Sequence, residues 1–172
     1  MRTTPLIGLT AILMVACISE PVQVSDLSLP YITAEHFKIV EGDNWIGSLT
    51  YLDYSADKRV TIPASSTVKV SSPTTIKYTI SYPEEPWEDT RQKIKISKLG
   101  DALDGHKVIS RDIRSDGNLE IQTENRGEDD GKAAEIRMTY ILGEKAYSFS
   151  KDVKVCNETD FINRNIYSFT RN

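Results

Sequence analysis

The chain has 172 residues, with 21 Lys and Arg against 25 Asp and Glu, and a formal charge of −4. A mildly acidic chain of this length can bury one domain's core, and its charge gives no electrostatic match to nucleic acid or to an anionic membrane surface. Its two cysteines, Cys17 and Cys156, allow at most one bridge rather than a disulfide framework.

The N-terminus is read first. Residues 1 to 4, MRTT, carry one basic side chain, Arg2, and residues 5 to 16, PLIGLTAILMVA, carry no charge. That run is too short to cross a bilayer, which takes about 20 residues. A basic start, a short apolar run and a small residue before a cut site describe a secretory signal peptide over residues 1–16. The stretch Met14-Val15-Ala16-Cys17 resembles a bacterial lipobox. The resemblance implies that the Cys17 thiol takes a diacylglycerol and that cleavage then frees its amine. Loss of Arg2 leaves 20 basic and 25 acidic residues, a charge of −5. Ile18 stands where an aspartate would act as a retention signal in a Gram-negative host. The expected location is therefore the cell envelope, as an outer-membrane lipoprotein facing the periplasm. The alternatives are ordinary secretion with a cut near Ala16, or a Cys17–Cys156 bridge if Cys17 stays in the mature chain.

Residues 18 to 30, ISEPVQVSDLSLP, read as a tether, so residues 17–33 are assigned to the lipidated cysteine and its linker. Residues 31 to 42, YITAEHFKIVEG, suit one or two helical turns, with Thr33 as cap and Phe37 facing inward. From Trp45 the apolar period becomes two, the mark of half-buried strands. Val60, Ile62, Ala64, Val68 and Val70 share one face; so do Ile76, Tyr78, Ile80 and Tyr82; so do Ala134, Ile136, Met138, Tyr140 and Leu142. Asp116-Gly117 suits a type I′ hairpin and Gly143-Glu144 a type II′ hairpin, while Asp104-Gly105 and Asp130-Gly131 mark further turns. Pro63 puts its strand at an edge, a bulge or a bend.

About nine strands follow, with no room for crossover helices. Such a chain closes into a barrel or folds into a sandwich, and closure, which removes exposed edges, favours the barrel. The expected fold is all-β: a single antiparallel up-and-down β-barrel over residues 34–172, with a short N-terminal helix.

The segment EGDNWIGSLTYLDY resembles the opening of the calycins, the lipocalins and fatty-acid-binding proteins. Trp45 and Gly47 match their first-strand signature in the order Trp-x-Gly rather than Gly-x-Trp. The resemblance implies a lipocalin-like barrel with a cavity for a small apolar ligand. It also implies a late arginine, Arg171 or Arg164, packed on Trp45 to close the barrel end by a cation–π contact.

Chemistry-bearing residues are sparse. The two histidines, His36 and His106, form no HxH or HExxH, and no CxxC, GxSxG or GxGxxG occurs. No metal site, cofactor or enzymatic activity is expected. His106, in a strand, is the one position that could serve as a haem ligand, against the commoner surface histidine. The acidic runs GEDDG, residues 127 to 131, and PEEPWEDT, residues 83 to 90, lack an EF-hand pattern and read as solvated loops. Trp87 is either a contact residue or lid, or simple packing. The sequon Asn157-Glu158-Thr159 is taken as chance in a bacterial chain.

Charges on apolar faces are more informative. Arg111 shares a face with Ile109 and Ile113, and Lys151 with Tyr147, Phe149, Val153 and Val155. A cation facing inward needs an anionic partner. That partner is a ligand carboxylate or phosphate, or an internal Asp53, Glu120 or Glu124, unless a bulge turns the residue outward. The sequence thus supports a lipid-anchored envelope protein whose barrel binds a small hydrophobic or amphiphilic ligand. Its lining would be Leu49, Tyr51, Tyr78, Ile80, Ile136, Met138, Tyr140, Phe149 and Tyr167, with Arg111 and Lys151 at the head group. The alternative is a side-chain-filled barrel that serves as a structural or assembly lipoprotein and binds a protein partner of unknown identity.

Overall fold

A computed structural model describes residues 30–156 and 158–172. Cys17, the signal segment, the tether up to residue 29 and the sequon's Asn157 lie outside the described residues.

Ten strands form one antiparallel sheet: β1 (Gly42–Asp53), β2 (Lys58–Ser72), β3 (Thr75–Ser81), β4 (Thr90–Lys95), β5 (Ala102–Leu103), β6 (His106–Ile113), β7 (Leu119–Asp129), β8 (Lys132–Leu142), β9 (Ala146–Val155) and β10 (Ile162–Thr170). Their spatial order is β4-β3-β2-β1-β10-β9-β8-β7-β6-β5. The first and last strands lie side by side, with Gly47 opposite Phe169 and Leu49 opposite Tyr167. Where the outer strands come together, Ile96, just past β4, forms an isolated bridge with Leu103 of β5. The result is a nearly closed up-and-down barrel that fits a lipocalin-like fold. The strand absent from the sequence reading is β5, whose two residues are too few to show a period.

Alternation decides what faces in. Trp45, Val68, Ile76, Ile80, Ile121, Tyr140, Leu142, Tyr147, Val153 and Phe169 are buried. Each such side chain contributes about 1.5–3 kcal/mol when removed from water. A 3₁₀ helix over Ala34–Val40 covers one end, burying Ala34, Phe37 and Val40. Packing begins before it. Ile32, at the end of the expected tether, is fully buried and donates its N–H to the Gly100 carbonyl at 2.8 Å.

The turns hold two corrections. Asp104-Gly105 and Asp130-Gly131 have positive φ at both residues, as two-residue type I′ hairpins require. At Asp116-Gly117 only the glycine does, and a wider loop is closed by Arg114 N–H on the Asn118 carbonyl. Gly143 has no positive φ, so it is no type II′ turn; a Cβ there would meet the Asn118 side chain. Pro63 lies in the part of β2 that pairs with β1 alone, since pairing with β3 starts at Ser65. Locally it is at an edge.

Candidate functional site

The plugged end is built around Trp45. Its indole N–H donates to the Val40 carbonyl at 2.9 Å, and its ring meets that of Tyr147 edge-on at 4.7 Å. The Arg171 guanidinium lies over the indole, 4.3 Å from its centroid. The same guanidinium donates to the carbonyls of Glu144, Glu41 and Ile39 at 2.7, 2.9 and 2.9 Å. One side chain therefore joins the last strand, the β8–β9 hairpin and the end of the helix.

Arg111 belongs to this end too. The β6–β7 register shifts between Val108 and Ser110. Val108, opposite Thr123, and Arg111, opposite Ile121, consequently share the inner side, while Ile109 turns outward. The bulge corrects the expectation that Ile109 shares the face of Arg111 and Ile113; Ile113, opposite Leu119, keeps the phase of Arg111 but is 71% exposed at the rim. Arg111 donates to the Tyr31 carbonyl at 3.0 Å, lies 4.9 Å from the Tyr31 ring centroid and is 3.4 Å from His36 Nε2. His36 Nδ1 accepts the Thr33 N–H at 3.0 Å. Burial, then the charge of Arg111, holds the imidazole below its ordinary pKa.

Beneath the plug is a cavity of about 190 Å³. Its walls are mostly apolar: the rings of Phe37, Tyr78, Tyr140, Tyr147 and Phe149, with Val40, Val68, Ile76, Ile94, Met138 and Leu142. Tyr140 stacks at 6.4 Å on Phe149, which stacks at 4.5 Å on Tyr167. Polar groups gather on one side, where Gln92 of β4, Asp104 of the β5–β6 turn and His106 of β6 complete the lining. That side lies at the incompletely joined seam between β4 and β5. The Tyr78 hydroxyl donates to Gln92 Oε1 at 2.9 Å, and burial pushes its pKa up to about 12. Burial likewise raises Tyr140 and lowers His106, so both are neutral at pH 7. His106 Nδ1 is buried without a partner among the described residues.

The opposite mouth is charged. A second cavity, of about 470 Å³, is lined by Leu49, Tyr51, Tyr82, Glu85, Glu88, Asp129, Lys151 and Arg164, among others. Asp129 is buried and accepts from Lys151 Nζ at 2.6 Å and from the Tyr54 hydroxyl at 2.8 Å; Arg164 Nε lies 3.5 Å away. The Arg164 guanidinium stacks over Tyr54 at 3.9 Å and donates to the Leu52 carbonyl. Burial works to raise the Asp129 pKa, but the hydrogen bonds of Lys151 and Tyr54 and the charges of Lys151 and Arg164 outweigh it, and the carboxyl titrates below its ordinary range. A Tyr82–Tyr167 hydroxyl pair at 3.0 Å links the mouth wall to the aromatic stack.

The expected site residues are thus divided. Tyr78, Met138, Tyr140 and Phe149 line the inner cavity; Leu49, Tyr51 and Lys151 line the mouth; Tyr167 packs beside Phe149; Arg111 secures the plug. Lys151 has an internal carboxylate, but it is Asp129 rather than Asp53, Glu120 or Glu124. Trp87 is 76% exposed in a 3₁₀ turn over Pro86–Glu88, beside the mouth-lining Glu85 and Glu88. Cys156 is exposed. Among the described residues no helix is long and apolar enough to cross a membrane, and no three His, Cys, Asp or Glu side chains group as metal ligands.

Sequence reasoning missed Asp104 and Asp129 as site residues. Asp129 was within reach, because the inward phase Leu119, Ile121, Thr123 continues to it along β7. No family model matches the chain, and no curated protein matches it as a relative.

Proposed function

We propose that this is a lipid-anchored envelope protein whose barrel binds a small, largely apolar molecule in the inner cavity. The cavity beneath the plug carries the binding part of the reading. It is apolar and aromatic on most sides, with a few convergent polar groups on one, which is the composition of small-molecule sites. Its volume of about 190 Å³ lies below the roughly 300–1,000 Å³ of drug-sized sites, so the occupant is small. The space also weighs against the alternative of a side-chain-filled structural barrel. The anchoring part is supported by the run Met14-Val15-Ala16-Cys17.

Two measurements test it. The mature protein from its host's membrane fraction is weighed intact, gently and then after denaturation. A denatured chain starting at Cys17 with diacylglycerol and acyl mass supports the anchor, and a start beyond Cys17 sinks it. Calorimetric titration with 2-phenylethanol tests the cavity. Saturable binding to the wild type, abolished when Met138→Trp fills the space, is expected. Equal uptake by both proteins, or none by the wild type, refutes an occupied cavity.

A further inference from the structure

We propose that the inner cavity selects a small amphiphilic amine, its ammonium against Asp104 and its apolar body among Phe37, Val68, Ile76 and Phe149. The inference rests on the cavity reading and names its ligand class. The argument is one of charge placement. A head-group cation for a carboxylate or phosphate ligand is missing from this cavity. Arg111 is engaged by Tyr31 and the helix, and Lys151 lies in the other cavity, bonded to Asp129. Among the side chains that line the inner cavity, the charged one is Asp104.

The carboxylate is held in place. Asp104 is the first residue of a type I′ turn, with φ of 51°. Its N–H donates to the Lys95 carbonyl at 2.7 Å, and its Oδ1 accepts the Lys95 N–H at 2.8 Å. The backbone of Lys95, at the end of β4, thus fixes both the turn and the side chain's Oδ1 at the seam between β4 and β5. Among the described residues, its Oδ2 has no hydrogen-bond partner and remains available to a donor.

The neighbouring hydroxyls stay un-ionised and add no positive charge. The negative charge of Asp104 adds to the burial that raises the Tyr78 and Tyr140 hydroxyls, so both rings sense it. Neutral His106 supplies no positive charge to attract an anion. A carboxylate ligand would meet like charge here and pay desolvation besides. An ammonium would find Asp104 Oδ2 at the rim and aromatic faces behind it, which also favour a cation.

The test uses one skeleton with three heads: 2-phenylethylamine, 2-phenylethanol and 3-phenylpropionate, each titrated at pH 7.5 into wild type and Asp104→Asn. Asparagine tolerates the left-handed backbone and can still accept the Lys95 N–H, so the turn survives. The expected order is amine, then alcohol, with the carboxylate weakest. Asp104→Asn should cost the amine roughly fivefold, the upper end for an ion pair at an exposed carboxylate, and leave the alcohol unchanged. If the alcohol binds but the carboxylate equals or exceeds the amine, or the amine's advantage survives Asp104→Asn, the selection of amines is overturned while the cavity stands. If none of the three binds, the cavity reading falls and this inference falls with it.

Discussion

Gly47 shows how far a single residue can be explained by its surroundings. It sits inward on β1 opposite Phe169. A Cβ at this position would run into the Ser168 carbonyl and the Phe169 Cα, both backbone atoms that cannot step aside. Glycine is therefore needed for close approach of two strands rather than for an unusual φ. Gly47→Ala should destabilise the barrel by about 3 kcal/mol, the upper end of the usual range for overpacking, because the atoms in the way are backbone; a denaturant midpoint within error of wild type would disprove the account. The Trp-x-Gly spacing was legible in the sequence as a signature, and Arg171 as the partner of Trp45. The three carbonyls that Arg171 also binds were not legible, because backbone acceptors leave no trace in residue type. Asp104 escaped for a related reason: Asp-Gly announces a turn, and the turn hides the carboxylate's second use.

Elements were read well where the period was long and poorly where one residue broke it. The inward sets on β2, β3 and β8 follow the alternation seen in the sequence. On β6 one bulged residue exchanges the phase, so Val108 and Arg111 face the same side and Ile109 drops out of the face expected for it with Arg111 and Ile113. A period of two cannot reveal a single insertion within eight residues. The 3₁₀ helix was visible from its cap and Phe37, but its dependence on histidine chemistry was not. His36 Nδ1 accepts the Thr33 N–H, and Arg111 stands against the other ring nitrogen. Protonation would abolish the acceptor and set two cations together. The folded-state pKa of His36 is lowered from 6.5, so the unfolded chain takes the proton first as pH falls, and stability declines with it. His106 is lowered as well, by burial first, and acts in the same direction. Tm should therefore fall between about pH 7 and pH 5, where only histidine side chains ordinarily titrate. His36→Gln, which keeps an acceptor for Thr33, should remove part of the slope, and the pair His36→Gln with His106→Gln the remainder. A Tm that is flat over this range in the wild type would refute the coupling.

At the scale of the whole molecule the barrel has two unlike ends. One is sealed by the helix, Trp45 and Arg171; the other opens over a charged cluster, with the aromatic stack from Tyr140 through Phe149 to Tyr167 between them. The sequence showed the strands and the reason to close them, since closure leaves few edges to protect. It did not show which charges closure would bring together. Tyr54 and Asp129 are 75 residues apart, and Leu52 and Arg164 are 112 apart, separations that no local pattern encodes. Asp129 is the centre of that meeting, with Lys151 and Arg164 on its two oxygens. Its folded-state pKa is lowered from 3.8, so its contribution is present above that value and lost as pH falls through the lower, folded-state one. Removing the charge strands two half-buried cations. Asp129→Asn should cost about 2–3 kcal/mol at pH 7, discounted from the roughly 3–5 of a fully buried pair because Lys151 and Arg164 keep some solvent. The gap between variant and wild type should then close as the wild-type carboxylate is protonated. Replacing both partners, Asp129→Leu with Lys151→Met, should cost less than Asp129→Asn alone, because no unpaired Lys151 ammonium remains. Denaturant titrations of the three proteins at pH 7 and near pH 3 decide the matter. A gap that is the same at both pH values, or a double variant weaker than the single one, would show that the cluster contributes by packing rather than by charge.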